Sequence, residues 1–295
     1  VLLPTYAILL ISTALFRFNG TGEKGITAMK ILLTNDDSHR SPLLAMVAKF
    51  LRTMGELSIV VPLHEQSWRG KSMSRFNPVQ VKELDVAGQR SWAVDGTPAD
   101  CVSIAINHLI ERPDIVISGI NAGLNTGTSF VYCSGTVGAC IEASIAGLPS
   151  IALSQEFDSP THNRYLAEYA LEYQILERLE HQFDAVAKQV VAPLMSNQRV
   201  SPQQDVVWNI NLPFILAEPM SYEITSLEKM RYGSPFVKAP EGFRHELTEV
   251  FHDTATDTDA AALRRGHVSI TPVRPHLLGA LSEDERQGYA KLFQR

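Results

Sequence analysis

The chain has 295 residues, 45% of them hydrophobic and 20% charged, with a formal net charge of −6 and a mean hydropathy near zero. This is the profile of a globular protein long enough to bury a sizeable core. It excludes a general binder of polymeric nucleic acid or of anionic membranes, because no basic stripe exists to neutralise phosphates; a small phosphate ester needs only a local site.

The opening run VLLPTYAILLISTALF is apolar over sixteen residues, close to a signal-peptide core and short for a membrane span. No basic segment precedes it, Arg17 follows it, and the first methionine is Met29. Residues 1–28 are read as a leader outside the fold, a non-native or misassigned start. The alternative is a genuine export signal or anchor. Cys101, Cys133 and Cys140 show no CxxC spacing and fit a reducing compartment better than a disulfide framework. The expectation is a cytoplasmic protein, exported only if residues 1–28 are a true signal.

From Met29 onward strands and helices alternate. KILLT has the continuous apolar run of a strand buried on both faces. Ser41-Pro42 supplies an N-cap and an N1 proline. Leu44, Val47, Ala48 and Leu51 follow at i, i+3, i+4 and i+7, and Gly55 marks the stop. LSIVVP is a second strand. Thr97-Pro98-Ala99-Asp100 reads as a capping box, with Val102, Ile106 and Leu109 facing inward. DIVISGIN is a strand running into a glycine loop. SGTVGACIEASIAG is a helix that opens on small residues and stops at Gly147, and LPSIALS is a strand. One long helix is expected over 165–192, ended by Pro193, and VVWNINLP returns as a strand. Past residue 220 the pattern breaks into short pieces with turn signals (YGSPF, APEG) before HVSITPV, the last clear strand. Repeated strand–helix–strand units imply an α/β fold: a Rossmann-like, doubly wound, mostly parallel sheet with helices on both faces. The core is placed at 29–220 and a C-terminal arm or subdomain at 221–295.

In such sheets ligands bind beyond the carboxyl ends of the strands, so four polar strand ends become candidates. Asn35-Asp36-Asp37 puts two carboxylates side by side, which repel unless a proton or cation intervenes. A hard divalent ion such as Mg²⁺ or Mn²⁺ suits oxygen ligands, although Asn and Asp are also ordinary turn residues. EQSWRGKSMS carries Ser67, Ser72 and Ser74 with Arg69 and Lys71, and alone reads as a polar loop. SGINAGLNTG sets Asn121 and Asn125 among glycines that let backbone approach a ligand closely. Ser134-Gly135-Thr136 opens a helix with free N–H groups, hydroxyls and the positive end of the dipole, which is a phosphate cradle or a plain N-cap. Together the four ends favour a metal plus a phosphate, and so hydrolysis of a phosphate ester by water. No covalent nucleophile is compelling, since neither Ser67 nor Ser134 has an obvious paired base. His39 and His64 are loop histidines near these ends in sequence, and Trp68 is the tryptophan that lies beside them.

In order and context these residues resemble the survival protein E (SurE) family of metal-dependent nucleotidases. The likeness runs through MKILLTNDD, VDGTPADCV, PDIVISGINAG, YCSGTVGACIEASIAGLPSIALS, NINLP and TDAAALRRGHVSITP. The resemblance implies a Rossmann-like core, one divalent metal ion (Mg²⁺ or Mn²⁺), and removal of phosphate from nucleoside 5′- or 3′-monophosphates. The family's metal ligands fall on Asp36, Asp37, Ser67 and Asn121, with Asp36 and Asp37 the catalytic carboxylates. Its phosphate-side residues fall on Asn125 and Ser134-Gly135-Thr136, beside Asn35. It further implies a homodimer or homotetramer built through an exchanged C-terminal arm, and for some members activity on short polyphosphate. Three departures stand out. Ser38 replaces a glycine, a strain of roughly 1 kcal/mol or more if φ is positive there. Cys133 is one residue more than the pattern has between Tyr132 and Ser134, and could displace the cradle. Trp68 and Arg69 replace small residues. A binding sensor that has lost turnover is the alternative reading; an aspartyl-phosphate phosphatase ranks below it, because adjacent aspartates lack that chemistry's spacing.

Overall fold

The computed structural model of the protein describes residues 16–18, 24–26, 28–196 and 206–292. Most of the expected leader lies outside the described residues; within it β1 (Phe16–Phe18) and β2 (Lys24–Ile26) pair antiparallel.

The first core strand, β3 (Met29–Thr34), shows why an unbroken apolar run is needed. Ile31 and Leu33 enter the core on one side of the sheet and Leu32 enters it on the other. α1 (Pro42–Leu51) follows, its buried Leu43, Leu44, Met46, Val47 and Leu51 forming the expected face. Ser41 precedes it but makes no side-chain cap; its hydroxyl instead accepts from Tyr165 Oη at 2.8 Å. β4 (Gly55–Pro62) begins at the glycine expected to stop the helix. Next come β5 (Val81–Val86) and β6 (Gln89–Val94), an antiparallel hairpin. Its two turn residues, Ala87 and Gly88, both take positive φ. The capping box is realised at α2 (Pro98–Ile104): Thr97 Oγ1 accepts from Asp100 N, and Asp100 Oδ2 from Thr97 N. The helical path then loosens into a π turn, Ala105–Leu109.

β7 (Ile115–Ala122), α3 (Gly127–Cys133), α4 (Gly135–Ile145) and β8 (Ser150–Gln155) follow. The single helix expected over 165–192 is two. α5 (Ser159–Glu168) starts earlier, on an Asp158 N-cap, and ends where Tyr169 turns left-handed with φ 51°; α6 (Tyr173–Val186) restarts after it. Nor does Pro193 end the helix. A π turn (Ala187–Val191) continues directly into α7 (Ala192–Ser196), so the proline sits within a helical run just after the irregular turn. β9 (Val207–Leu212) closes the expected core.

The remaining elements are β10 (Tyr222–Ile224), β11 (Arg231–Tyr232), β12 (Phe236–Ala239), β13 (Gly242–His245), β14 (Val250–Phe251), α8 (Asp259–Arg264), β15 (Val268–Val273) and α9 (Glu283–Leu292). The main sheet has nine strands in the order β10-β15-β9-β8-β7-β3-β4-β6-β5. The run from β9 to β6 is parallel, while β5 and β15 are antiparallel to their inner neighbours. β10 and β15 come from the segment read as an arm, so the sheet runs across residue 220. Completing this side of the sheet needs β15, which pairs with β9 in register Ile270↔Ile210. Helices α1 and α6 cover one face, α2 and α4 the other. Among the described residues no helix is long and apolar enough to cross a membrane.

Candidate functional site

The strand order reverses at β3: the chain moves outward to β4 on one side and returns to β7 on the other. A crevice at such a switch point, beyond the carboxyl ends of its strands, is where doubly wound sheets bind ligands. Asp36 and Asp37 leave β3 there, and Asn121 stands at the end of β7. A cleft of about 760 Å³ opens at this point and is lined by Asp36, Asp37, Ser67, Asn121, Asn125 and Ser134.

Each side chain is held by a different element. Asp36 Oδ1 accepts from Thr136 Oγ1 at 2.6 Å, and the Thr136 N–H also reaches this carboxylate. Asp37 Oδ2 accepts from Ala122 N at 3.1 Å. Gln66 N donates to Asp36 O at 2.8 Å, tying the loop of Ser67 to the end of β3. That loop is anchored further along, where Ser74 N donates to Asp100 and Thr97 Oγ1 donates to Ser72 O at 2.7 Å. The capping box of α2 therefore fixes both a helix start and the loop that carries Ser67. A β-bulge between Ser118 and Asn121 re-aims the end of β7. Asn121 Nδ2 donates to Gly123 O at 2.8 Å, which leaves its amide oxygen available to a cation.

Both carboxylates are buried, and both are pushed above the ordinary aspartate range. For Asp36 the causes are desolvation and then the charge of Glu65; for Asp37 they are desolvation and then the charge of Asp36. The charges acting most strongly on this pair are thus other carboxylates. The donor set is all oxygen, from two acids, a hydroxyl and an amide, which fits a hard divalent cation. Among the described residues no group of three His, Cys, Asp or Glu side chains offers a competing metal site.

The structure redistributes the expected phosphate-side residues. Ser134 lines the cleft, but its Oγ accepts from Val137 N as the N-cap of α4. Thr136 is fully buried and turned to Asp36, so the start of α4 steadies a carboxylate. Gly135 is the contact that permits this: a Cβ there would lie 2.9 Å from Asp36 Cβ. Asn35 does not border the cleft. It is buried, and its Nδ2 donates to Ser38 O at 2.9 Å, bracing the turn. Asn125 borders the cleft, with its Nδ2 engaged by Ser154 Oγ and its backbone N and O held by Asn211.

The departures resolve locally. Ser38 does take positive φ, 70°, while buried. The added Cys133 is absorbed as the last residue of α3; its carbonyl accepts from Gly70 N, and Ser134 still caps α4. His39 and His64 do not line the cleft. His162, Asn163, Leu166 and Tyr169 of the α5 region do, as do His245, Glu246 and Leu247 of the C-terminal segment. Burial holds His162 below the usual histidine range. Tyr165, packed against Asp37, is raised by burial. No local pattern marks these residues, because they reach the site only through tertiary folding.

Comparison with known proteins adds independent findings. The family model described as survival protein SurE matches residues 31–234. A 5′-nucleotidase SurE of Legionella pneumophila is 35% identical over 251 residues, covering 83% of this chain and 90% of that one. One from Archaeoglobus fulgidus is 32% identical over 267 residues, covering 88% and 97%. The crystal structure of the SurE protein from Aquifex aeolicus superposes with a TM-score of 0.62 at 25% identity, covering 90% of this chain and 99% of that one.

Proposed function

The chain belongs to the survival protein SurE family, and on that premise we propose that it is a 5′-nucleotidase. In this reading it hydrolyses nucleoside 5′-monophosphates, and 3′-monophosphates as well, to nucleoside and phosphate, with a divalent ion at the switch-point cleft. The observation that carries the proposal is the pair of buried aspartates whose strongest charged neighbours are themselves acidic. An acidic cleft repels a phosphate ester. Mg²⁺ or Mn²⁺ held by Asp36, Asp37, Ser67 and Asn121 would reverse that sign, polarise a phosphoryl oxygen and make bound water more acidic.

The chain's own residues supply the positioning. The hydroxyl and N–H of Thr136 favour the ionised form of Asp36 and fix its rotamer. Ala122 N–H fixes one oxygen of Asp37, the Tyr165 hydroxyl also reaches this carboxylate, and Asp37 so held would orient the attacking water. Ser134 and Asn125 border the place where the phosphoryl group arrives.

The proposal extends to assembly and compartment. A homodimer or homotetramer through the C-terminal arm is supported by the exposed Phe236, Phe243 and Phe251. A cytoplasmic location is supported by three unpaired cysteines.

The test is phosphate release from nucleoside 5′- and 3′-monophosphates and short polyphosphate, with Mg²⁺, Mn²⁺ or EDTA. Release that EDTA abolishes and Asp37→Asn prevents is expected. Metal-dependent nucleotide binding without release would make the protein a sensor instead.

A further inference from the structure

Beside the acidic floor, the cleft has a wall of a different chemistry. Trp68 lies in the cleft lining together with Phe130 and His245. Its ring centroid is 4.5 Å from that of His245, 5.7 Å from Phe130 and 5.9 Å from Tyr232. The four rings come from the loop after β4, from α3, from β11 and from β13, so three separate parts of the fold converge on one tryptophan. Convergence of this kind ordinarily buries a tryptophan. Here Trp68 remains 39% exposed. It is also held at φ 60°, a backbone state that costs a bulky residue of order 1 kcal/mol or more. A half-open indole kept in a strained backbone, one residue from Ser67, is a surface built for something that enters the cleft.

We infer that Trp68, backed by His245, Phe130 and Tyr232, is the platform on which the leaving group of the substrate stacks, and that it selects phosphate esters of planar aromatic nucleosides over those of bare sugars. The inference rests on the nucleotidase reading and names the residues that set its specificity. The position suits the task. With a cation held at the carboxylate floor, the phosphate end of the ester would lie there, and its far end would extend toward the aromatic wall of the same cleft. Stacking is tolerant of base identity because every base has a π face. Larger purine rings therefore rank above pyrimidines, with little distinction between adenine and guanine. The C-terminal segment becomes part of the substrate site, since His245 comes from the β12–β13 hairpin, far beyond α4 in sequence.

Two measurements test this on the intact protein. The first titrates adenosine, which carries no phosphate, into EDTA-treated protein and follows tryptophan fluorescence. Saturable quenching is expected in the wild type and in His245→Ala at weaker affinity, and its loss in Trp68→Leu. The second compares kcat/KM for a purine nucleoside monophosphate with that for ribose 5-phosphate, the same ester without a base. Trp68→Leu and His245→Ala are expected to lower that ratio about tenfold, the scale of one base–aromatic stack, while Trp68→Phe keeps most of it. A ratio unchanged in both variants, or adenosine that leaves wild-type fluorescence unaltered, overturns the inference. Quenching by adenosine with no phosphate release from any ester would instead sink the hydrolase reading and leave the platform standing.

Discussion

The floor and the rim of the cleft are built by opposite means. At the floor, Asp36, Asp37 and Thr136 are buried, Thr136 Oγ1 donates to Asp36 at 2.6 Å and Ala122 N to Asp37 at 3.1 Å, and Gly135 is pressed so close that a methyl group would not fit. At the rim, Trp68 and His245 touch mainly other rings and stay open to solvent. Buried polar groups are costly unless geometry is exact to a few tenths of an ångström, so the floor tolerates little change. Ring contacts are broad and shallow, so the rim can accept different partners. Chemistry is assigned to the rigid part and selection to the adaptable one.

The sharpest way to break that contrast is Gly135→Ala. The new Cβ would meet Asp36 Cβ at 2.9 Å and Gln66 O at 3.1 Å. Loss of most metal-dependent phosphate release is expected, with about 1–3 kcal/mol of destabilisation by urea unfolding. Wild-type behaviour would mean the floor is looser than its contacts imply.

The acidic pair gives a pH prediction of definite sign. Burial raises both aspartates in the fold, whereas in the unfolded chain they titrate near about 3.9. The metal-free native state therefore holds extra protons, and its stability falls as pH rises from about 4 through the raised range. A cation binds the ionised pair, so its stabilising effect must grow over the same interval. At a hundred times its Kd a bound ion adds about 2.7 kcal/mol. Thermal melts with Mn²⁺ and with EDTA should differ more at pH 8 than at pH 5; an equal or reversed difference contradicts the assignment.

A smaller gain is expected from Ser38→Gly, which relieves a positive φ at the turn below the floor. It should stabilise by up to about 1 kcal/mol, part of the relief being offset by a more flexible unfolded chain. No change in the melting temperature would show that serine carries little strain at this turn. At the rim, His245→Ala should alter stability by no more than about 0.5 kcal/mol, as for other exposed positions. A loss as large as that of Gly135→Ala would erase the distinction between the two regions.

Local patterns made the core strands and the starts of α1, α2 and α4 legible, because buried parallel strands and capping residues leave marks within a few positions. The Asp36-Asp37 pair was legible for the same reason. The β5–β6 hairpin was not, since its Ala87-Gly88 turn lacks the usual Asn-Gly or Asp-Gly signal. Composition alone also hid the break at Tyr169, where a left-handed residue interrupts an otherwise helical stretch. Its ring meets Tyr165 one helical turn back and, from a distant part of the sequence, the Arg40 guanidinium. Thr136 was legible as a helix opener but not as the partner of Asp36. His162 and His245 carried no sequence signal at all, being brought to the cleft from distant elements.

The account stands or falls on the cation. Mn²⁺ should be titrated calorimetrically into EDTA-stripped protein, in two buffers of different ionisation enthalpy, for the wild type and for Asp37→Asn. One ion bound per chain with release of protons, and binding weakened at least a hundredfold in the variant, is the predicted result. Failure of the wild type to bind, or equal binding by Asp37→Asn, would contradict it.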